Sequence, residues 1–271
     1  MLEYLKYSDK KIHDNLFISE PIVDKSLNSP NQVLVRIPDS KKPITDVILS
    51  FDGQNLFDKK TSHFGSIFNL EKLIQTAETD RDKNILVIAV TSNNQRQTQY
   101  NPYPRKASKI SSSHLKMIIL DVIPSVLENF KLDITNTKKH VLGASMGALM
   151  AIKFSIINPE FNNIICLSPA FWFGFPGVIL DIKNLDNNTF LYLYTGQKEG
   201  HIFNDEVKNI FPKEWELDFS TNDNFYVSGV NLMENSFIEN DIQYEYLIEE
   251  EGMHNESYWG KVLEKYFQEL L

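Results

Sequence analysis

The sequence predicts an α/β fold with one mostly parallel sheet of about eight strands and helices on both faces. Short apolar runs rich in β-branched residues alternate with longer segments of helical period, a pattern typical of parallel strands joined by crossover helices. The chain has 271 residues, a length that suits one large domain of this class, and its sequence contains no linker-like tract of Pro, Gly or Ser. We therefore expect residues 1–271 to form a single domain.

Strands are predicted at eight positions along the chain. The first two have no helical segment between them and should pair antiparallel, whereas the later ones are separated by helical segments and should be parallel. The predicted strands cover residues 15–19, 32–37, 46–51, 85–90, 140–143, 163–167, 190–195 and 243–248.

Two helices are predicted clearly, and one segment follows no period. Residues 113–130 carry their apolar residues on one face behind a Ser-rich start, and Pro124 should kink this helix. The last helix should begin at Glu256 and pack on the sheet. Residues 200–227 are predicted as a loop that shapes the cleft as a partial lid, with packing on the far surface or at a subunit contact as the alternative.

Composition and charge exclude several classes of partner. The chain has 27 Lys and Arg against 36 Asp and Glu, and its net charge of -9 would repel nucleic acid and anionic lipid. Charged residues interrupt the first twenty positions, and no run of 18 apolar residues occurs. The single cysteine, Cys166, is compatible with a reducing compartment. We expect a cytoplasmic protein that binds no membrane, and a homo-oligomer is compatible with the sequence.

The sequence Gly143-Ala144-Ser145-Met146-Gly147 stands where a predicted strand gives way to a helical pattern. A G-x-S-x-G motif in this context forms a sharp turn that projects the serine oxygen above the sheet. The helix behind the serine offers N–H groups and a partial positive charge to a developing oxyanion. Ser145 is therefore the candidate nucleophile, with an ordinary tight turn as the alternative interpretation.

A serine at such a turn is followed along the chain by an acidic residue and then a histidine, on loops after later strands. His254 lies between the last predicted strand and the last helix, whereas His201, the other histidine after the serine, has no clear place at a strand end. Glu199 follows the strand at 190–195 and is the candidate acid that orients His254, with Asp205 as the second choice.

The loop at residues 52–57 follows the predicted strand at 46–51, where such folds supply a second oxyanion donor. We nominate the backbone N–H groups of Gln54 and Met146, and the N–H of Asn55 remains an alternative. Aromatic residues after the strand at 163–167 could line an acyl or aryl pocket, although packing over the sheet edge explains them equally well. The candidate substrate-binding residues are Asn55, Arg96, Phe171 and Trp172.

Together these segments resemble the putative-esterase family of the α/β-hydrolase superfamily, which includes enterochelin esterases and S-formylglutathione hydrolase. The similarity covers most of the chain. It rests on residues 52–57, Arg96 with Tyr100 and Pro102, residues 143–147, 167–172 and 196–200, and Gly252, His254, Asn255, Glu256 and Trp259. The resemblance implies the α/β-hydrolase fold and gives the triad roles to Ser145, Glu199 and His254.

The expected activity is hydrolysis of a carboxylic ester through an acyl-enzyme on Ser145, with His254 as base and then acid. The expected partner is a small-molecule ester, and we expect neither a metal ion nor an organic cofactor. Two alternatives remain open at this point. The chain could transfer an acyl group to a sugar or alcohol, or it could be a non-catalytic binding protein with the same fold.

Overall fold

The computed structural model describes residues 2–8, 14–24, 29–62, 65–104, 109–203, 215, 217–269 and 271. Eleven strands occur in this part of the chain. They are β1 (Tyr4–Lys6), β2 (Leu16–Ser19), β3 (Ile22–Asp24), β4 (Ser29–Asn31), β5 (Val33–Arg36), β6 (Asp46–Phe51), β7 (Ile85–Val90), β8 (Lys138–Ala144), β9 (Asn163–Leu167), β10 (Phe190–Gly196) and β11 (Gln243–Glu249).

Nine of these strands form one sheet in the order β1-β2-β5-β7-β6-β8-β9-β10-β11, and β3 pairs with β4 in a separate hairpin. The predicted antiparallel pairing of the first two strands is confirmed, since β2 runs antiparallel to β5. From β7 to β11 every neighbouring pair is parallel. The predicted α/β fold with a mostly parallel sheet is therefore confirmed, and the eight predicted strands all occur. The structure adds β1 at one edge, together with β3 and β4.

The helices of the described residues cover both faces of the sheet. They are α1 (Leu70–Asp80), α2 (Arg96–Gln99), α3 (Ile110–Met117), α4 (Ile123–Phe130), α5 (Met146–Ile157), α6 (Phe171–Gly174), α7 (Gly177–Asp181), α8 (Asn222–Glu239) and α9 (Glu256–Glu269). Alternate residues of β6 point to opposite faces, with Val47 and Leu49 on the face that α5 and α8 cover, and Ile48 on the face that α1 and α9 cover. The core is thus two apolar layers on either side of the sheet.

Pro124 perturbs the predicted helix at 113–130 one turn before the proline itself. Residues Ile118–Val122 form a π-helical turn between α3 and α4, in which the Ile123 N–H donates to the Ile118 carbonyl. Proline cannot donate an N–H and crowds the preceding turn, so the wider turn accommodates it. The whole stretch Ile110–Phe130 is long and apolar enough to cross a membrane by length and composition, and a buried core helix meets the same criterion.

The segment 200–227 differs from its prediction as a loop. Gly200–Ile202 is a short 3-10 helix, and the last part is the beginning of α8, where the Thr221 hydroxyl accepts the Asn224 N–H at 3.0 Å. Phe225 and Tyr226 are both fully buried and lie with Gly229, Val230 and Met233 on the buried face of α8. The part of the lid prediction at 204–214 and 216 lies outside the described residues.

The Phe171 ring joins α6 to α8. A Cβ atom on Gly229 would lie 2.0 Å from the tip of the Phe171 ring, so the ring packs directly on the helix backbone. Phe171 is completely buried, and its ring also lies against Phe225 and Tyr226 at centroid distances of 5.4 and 6.1 Å. This contact fixes α8 beside the segment that follows β9.

Gly229→Ala should lower the free energy of unfolding by about 1 to 3 kcal/mol, because the new methyl group must displace a wedged ring. The loss is expected even though alanine favours an isolated helix by about 1 kcal/mol over glycine. Urea denaturation measures it. The matched control is Ile238→Ala on the exposed side of α8, which should change stability by about 0.5 kcal/mol or less. A Gly229→Ala protein as stable as wild type would contradict this packing.

Candidate active site

Ser145 stands on a strained turn between β8 and α5. Its backbone has φ 57° and ψ -122°, a conformation that a residue with a Cβ rarely adopts. A Cβ atom on Gly143 would lie 2.0 Å from the Gly147 carbonyl oxygen, and one on Gly147 would lie 3.2 Å from the Asp52 carboxylate. Backbone contact within the elbow therefore requires glycine at position 143, and the Asp52 side chain leaves little space for a side chain at position 147.

The elbow is also tied to the end of β9. The Ser145 N–H donates to the Leu167 carbonyl at 2.9 Å, and the Ser145 carbonyl accepts the N–H groups of Ala148 and Ala170, both at 3.1 Å. These bonds hold the turn at Ser145 beside Ser168, the first residue after β9. Ser145 itself is half-buried at the carboxyl edge of the sheet.

Backbone contact between two neighbouring loops brings Glu199 to His254. A Cβ atom on Gly196, at the end of β10, would lie 2.3 Å from the carbonyl carbon of Gly252, which follows β11. The Lys198 N–H donates to the Gly252 carbonyl at 2.9 Å. Across this junction His254 Nδ1 lies 2.9 Å from Glu199 Oε2. Close approach of the two loops therefore creates the acid and histidine pair.

The Glu199 carboxylate is fully buried and receives three donors. Oε2 accepts from His254, while Oε1 accepts from the Ser168 hydroxyl at 2.6 Å and from the Gly196 N–H at 2.7 Å. The Tyr226 hydroxyl lies 3.3 Å from His254 Nδ1 and donates to the Ser168 carbonyl at 2.6 Å. Charged hydrogen bonds of this kind offset the cost of burying a carboxylate.

Within the described part of the chain, no hydrogen bond joins Ser145 Oγ to His254. Such bonds are often long in a free enzyme and tighten when substrate binds. Both residues follow strands that end at the same sheet edge, since β8, β9, β10 and β11 are consecutive and parallel. His201 is exposed, with Nδ1 3.1 Å from the Lys198 carbonyl oxygen, and Asp205 lies outside the described residues.

The loop after β6 is held by an ion pair between the buried Asp52 carboxylate and the partly exposed Arg96 guanidinium. Asp52 has φ 54°, and its carboxylate accepts two bonds from Arg96, at 2.8 and 2.7 Å. Burial by itself raises the pKa of Asp52, but the Arg96 guanidinium outweighs it and holds the pKa below its ordinary value of 3.8. The Tyr100 hydroxyl accepts the Asp52 N–H at 3.1 Å, and Arg96 lies over the Tyr100 ring.

The same loop presents one of the nominated oxyanion donors. The Asn55 N–H donates to the Asp52 carbonyl at 2.9 Å and is therefore occupied. The N–H groups of Gln54 and Met146 have no acceptor among the described residues. The Gln54 side chain is anchored to Ser92, with Nε2 donating to the Ser92 hydroxyl at 2.9 Å and Oε1 accepting its N–H at 3.0 Å.

The four candidate substrate-binding residues have different environments. Arg96 is paired with Asp52, and the Asn55 amide donates to Glu256 at 3.3 Å. Phe171 lies in the core, so the packing interpretation holds for it. Trp172 keeps partial exposure and packs edge-on against Phe203 at 4.6 Å. In the described ranges, no group of three or more His, Cys, Asp or Glu side chains could hold a metal ion.

Three residues contact the pair formed by Glu199 and His254, and the sequence did not predict these contacts. They are Ser168, Tyr226 and Trp259. Trp259 Nε1 donates to the Ser168 hydroxyl at 2.8 Å, and its ring lies 4.9 Å from that of His254. Ser168 and Trp259 stand in segments that carry the family resemblance, but their spacing along the chain says nothing of this contact. The position of Ser168 directly after a parallel strand was the available signal.

This sheet, with a serine elbow after β8 and loops carrying an acid and a histidine after β10 and β11, has the architecture of an α/β hydrolase. The family model described as "Putative esterase" matches residues 25–270. The chain belongs to this family, which confirms the resemblance, and it is a carboxylic ester hydrolase. Comparison with curated proteins finds no significant match.

Solved structures with the same fold include three that cover nearly the whole chain. The BES protein from Bacillus cereus is 17% identical, with 95% of each chain covered and a TM-score of 0.68. The siderophore hydrolase EstA from Aspergillus nidulans is 16% identical, with 95% of each chain covered and a TM-score of 0.66. An S-formylglutathione hydrolase from Agrobacterium tumefaciens is 10% identical, with 94% of each chain covered and a TM-score of 0.55. These similarities confirm the α/β-hydrolase fold.

Arg96→Met should lower the free energy of unfolding at neutral pH by about 2 to 4 kcal/mol, because it leaves the buried Asp52 carboxylate without its cation. In the wild type the depressed pKa of Asp52 adds stability above pH 3.8, which is lost as the pH falls through the depressed value. The variant lacks this contribution, so the difference between the proteins should narrow as the pH falls toward and below 3.8. Urea denaturation at several pH values measures it.

The matched control is Lys42→Met, which removes an exposed ion pair with Asp82 and should change stability little at any pH. An Arg96→Met protein whose stability deficit stays constant from pH 7 to the acid range would show that the Asp52 charge is not what Arg96 stabilises.

Proposed function

We propose that this chain hydrolyses a small-molecule carboxylic ester in two steps through an acyl-enzyme on Ser145. The proposal rests on one observation above all. Ser145 stands on a strained elbow at the carboxyl edge of the sheet. The pair formed by His254 and Glu199, with Nδ1 and Oε2 2.9 Å apart, lies at the same edge. A nucleophile, a base and a residue that orients the base are the three parts that acyl transfer at a serine requires.

The hydrogen-bond partners of His254 determine which ring nitrogen carries the proton. The Glu199 carboxylate can only accept, and the Tyr226 hydroxyl directs its proton to the Ser168 carbonyl at 2.6 Å. Both neighbours of Nδ1 therefore act as acceptors, so Nδ1 carries the hydrogen and Nε2 of the neutral ring is left unprotonated. This is the tautomer that can take a proton from Ser145.

In the first step, Ser145 Oγ attacks the ester carbonyl while its proton passes to His254 Nε2. The negative charge that develops on the carbonyl oxygen is stabilised by the N–H groups of Gln54 and Met146, with help from the positive end of α5. The tetrahedral intermediate collapses when His254 returns the proton to the leaving alcohol. The acyl group then remains bonded to Ser145.

In the second step, water replaces the alcohol and the same residues repeat their roles. His254 removes a proton from the water as it attacks the acyl carbonyl, and the same two N–H groups again receive the oxyanion. Collapse returns the proton to Ser145 and releases the carboxylic acid. Glu199 keeps the ring oriented and stabilises the imidazolium that forms in each step.

His254→Ala should lower kcat for a short-chain ester by on the order of 10³ to 10⁶, because the general base is lost. Glu199→Gln should cost less, since the ring can still accept a proton from Ser145 when it is held less well. Initial rates with a chromogenic acetate ester measure both effects. His201→Ala is the control and should keep wild-type turnover, because this exposed ring contacts only a loop carbonyl in the described structure.

Labelling with a fluorophosphonate probe checks the nucleophile in the same proteins. The wild type should be labelled and Ser145→Ala should not. If Ser145→Ala is labelled as well as the wild type, the nucleophile is another residue. If His201→Ala is inactive while His254→Ala turns over normally, the two histidines must exchange roles.

A further inference from the structure

We propose that Ser168 is a positioning residue for the reaction, whose hydroxyl holds the Glu199 carboxylate while the Trp259 indole orients that hydroxyl. The proposal rests on the proposed function of Ser145, Glu199 and His254. An indole N–H can only donate, so Trp259 occupies the accepting side of the Ser168 oxygen at 2.8 Å. The single proton of the hydroxyl therefore points at Glu199 Oε1, 2.6 Å away.

Burial makes the hydrogen bond between Ser168 and Glu199 energetically important. The Glu199 and Ser168 side chains are both fully buried, and Trp259 is 5% exposed. Without the hydroxyl, Oε1 would keep only the Gly196 N–H among the partners in the described structure. A buried carboxylate that loses a donor is costly to keep ionised, so it must share the His254 proton more tightly or become protonated itself.

The backbone of Ser168 supports a dedicated role for its side chain. Its φ of 45° is a conformation that glycine adopts without strain and serine rarely adopts. The strained turn is held on both sides, because the Ser168 N–H donates to the Tyr194 carbonyl at 2.8 Å and its carbonyl accepts the Tyr226 hydroxyl at 2.6 Å. These bonds fix where the hydroxyl lies. A serine in a position suited to glycine indicates that the hydroxyl is used.

The other titratable groups around the pair are the same in wild type and variants. Three phenols surround Glu199, from β10, β11 and α8: Tyr194, Tyr246 and Tyr226. Burial raises the pKa of each of them, so they stay neutral across the working range. The nearby carboxylates are Asp223, which accepts the Gly200 N–H, Glu249, which contacts the Tyr194 hydroxyl, and Glu256 at the start of α9. Their influence cancels in a comparison of variants.

The proposal predicts a shift of the acid limb in the pH profile of kcat/KM. If His254 holds its proton more tightly, or if Glu199 becomes protonated, the active form is lost at a higher pH than in the wild type. Both effects therefore shift the acid limb in the same direction. Ser168→Ala and Ser168→Gly should each move the acid limb up by about one pH unit, the size expected when a charged group loses one hydrogen bond. At the wild-type optimum kcat should fall by about tenfold with KM unchanged, because Ser168 donates to Glu199 rather than to substrate.

Two further variants separate positioning from structure. Trp259→Phe keeps an aromatic ring beside His254 but removes the indole donor, so it should shift the limb in the same direction by a smaller amount. Ser155→Ala is the matched control, since its buried hydroxyl also donates one 2.7 Å bond, to the Phe161 carbonyl, on the far part of α5. It should lower stability and leave the acid limb where it is.

The Ser168→Gly variant separates loss of the hydroxyl from damage to the fold. Ser168→Gly removes the hydroxyl while relieving the backbone strain, so it should fold at least as well as Ser168→Ala. If both variants keep the wild-type acid limb and kcat, or if Ser155→Ala shifts the limb equally, the positioning role is wrong. Fluorophosphonate labelling of wild-type Ser145 distinguishes this outcome from failure of the proposed function, since an unlabelled wild type would overturn the triad itself.

Discussion

The buried carboxylate of Glu199 is the interaction on which the rest of the site depends. Its two oxygens join the segments that follow three consecutive strands, through Ser168 after β9, Gly196 at the end of β10 and His254 after β11. A charge in a fully buried position is costly unless donors surround it. The carboxylate needs hydrogen-bond donors from all three segments, and this need constrains how the segments meet. The same hydrogen bonds fix the orientation of the His254 ring.

The turn at Ser145 is held by a different constraint, close backbone packing. The backbone of Gly147 and Ala148 takes up the space around Gly143, so the turn can form only without a side chain at that position, and Asp52 leaves little space at Gly147. Asp52 is in turn held by Arg96, and this ion pair fixes the loop that carries the Gln54 N–H. Arg96 thus holds the loop after β6 in place. The two halves of the site meet at the hydrogen bonds between Ser145, Leu167 and Ala170.

Much of the fold and the site could be predicted because strong local patterns mark them. The eight predicted strands carry apolar runs that the buried sheet requires, and the glycines around Ser145 meet a local steric need. Strands β1, β3 and β4 are three residues each, too short to show a period. The beginning of α8 was not predicted because the buried face of this helix includes Gly229, which packs against the Phe171 ring and interrupts the apolar period in the sequence.

Contacts between distant parts of the chain could not be predicted in the same way. Arg96 was a candidate for substrate binding because of its charge, and its ion pair with Asp52 joins residues 44 positions apart along the chain. Ser168 and Trp259 are 91 positions apart, and the direction of their bond depends on how β9 and α9 pack. The sequence around Phe171 fits a pocket or the core equally well, and its packing against α8 decides in favour of the core. Each of these depends on tertiary packing, which has no local signal.

The most direct test of the account is to find where the acyl group goes. The protein would be mixed with an excess of an aryl ester of a bulky acid, quenched in acid during turnover, digested and examined by peptide mass spectrometry. We expect the acyl mass on Ser145 in the wild type, and much less acylation in His254→Ala. An acyl group on another residue, or turnover with no acylated peptide at any quench time, would contradict the acyl-enzyme at Ser145.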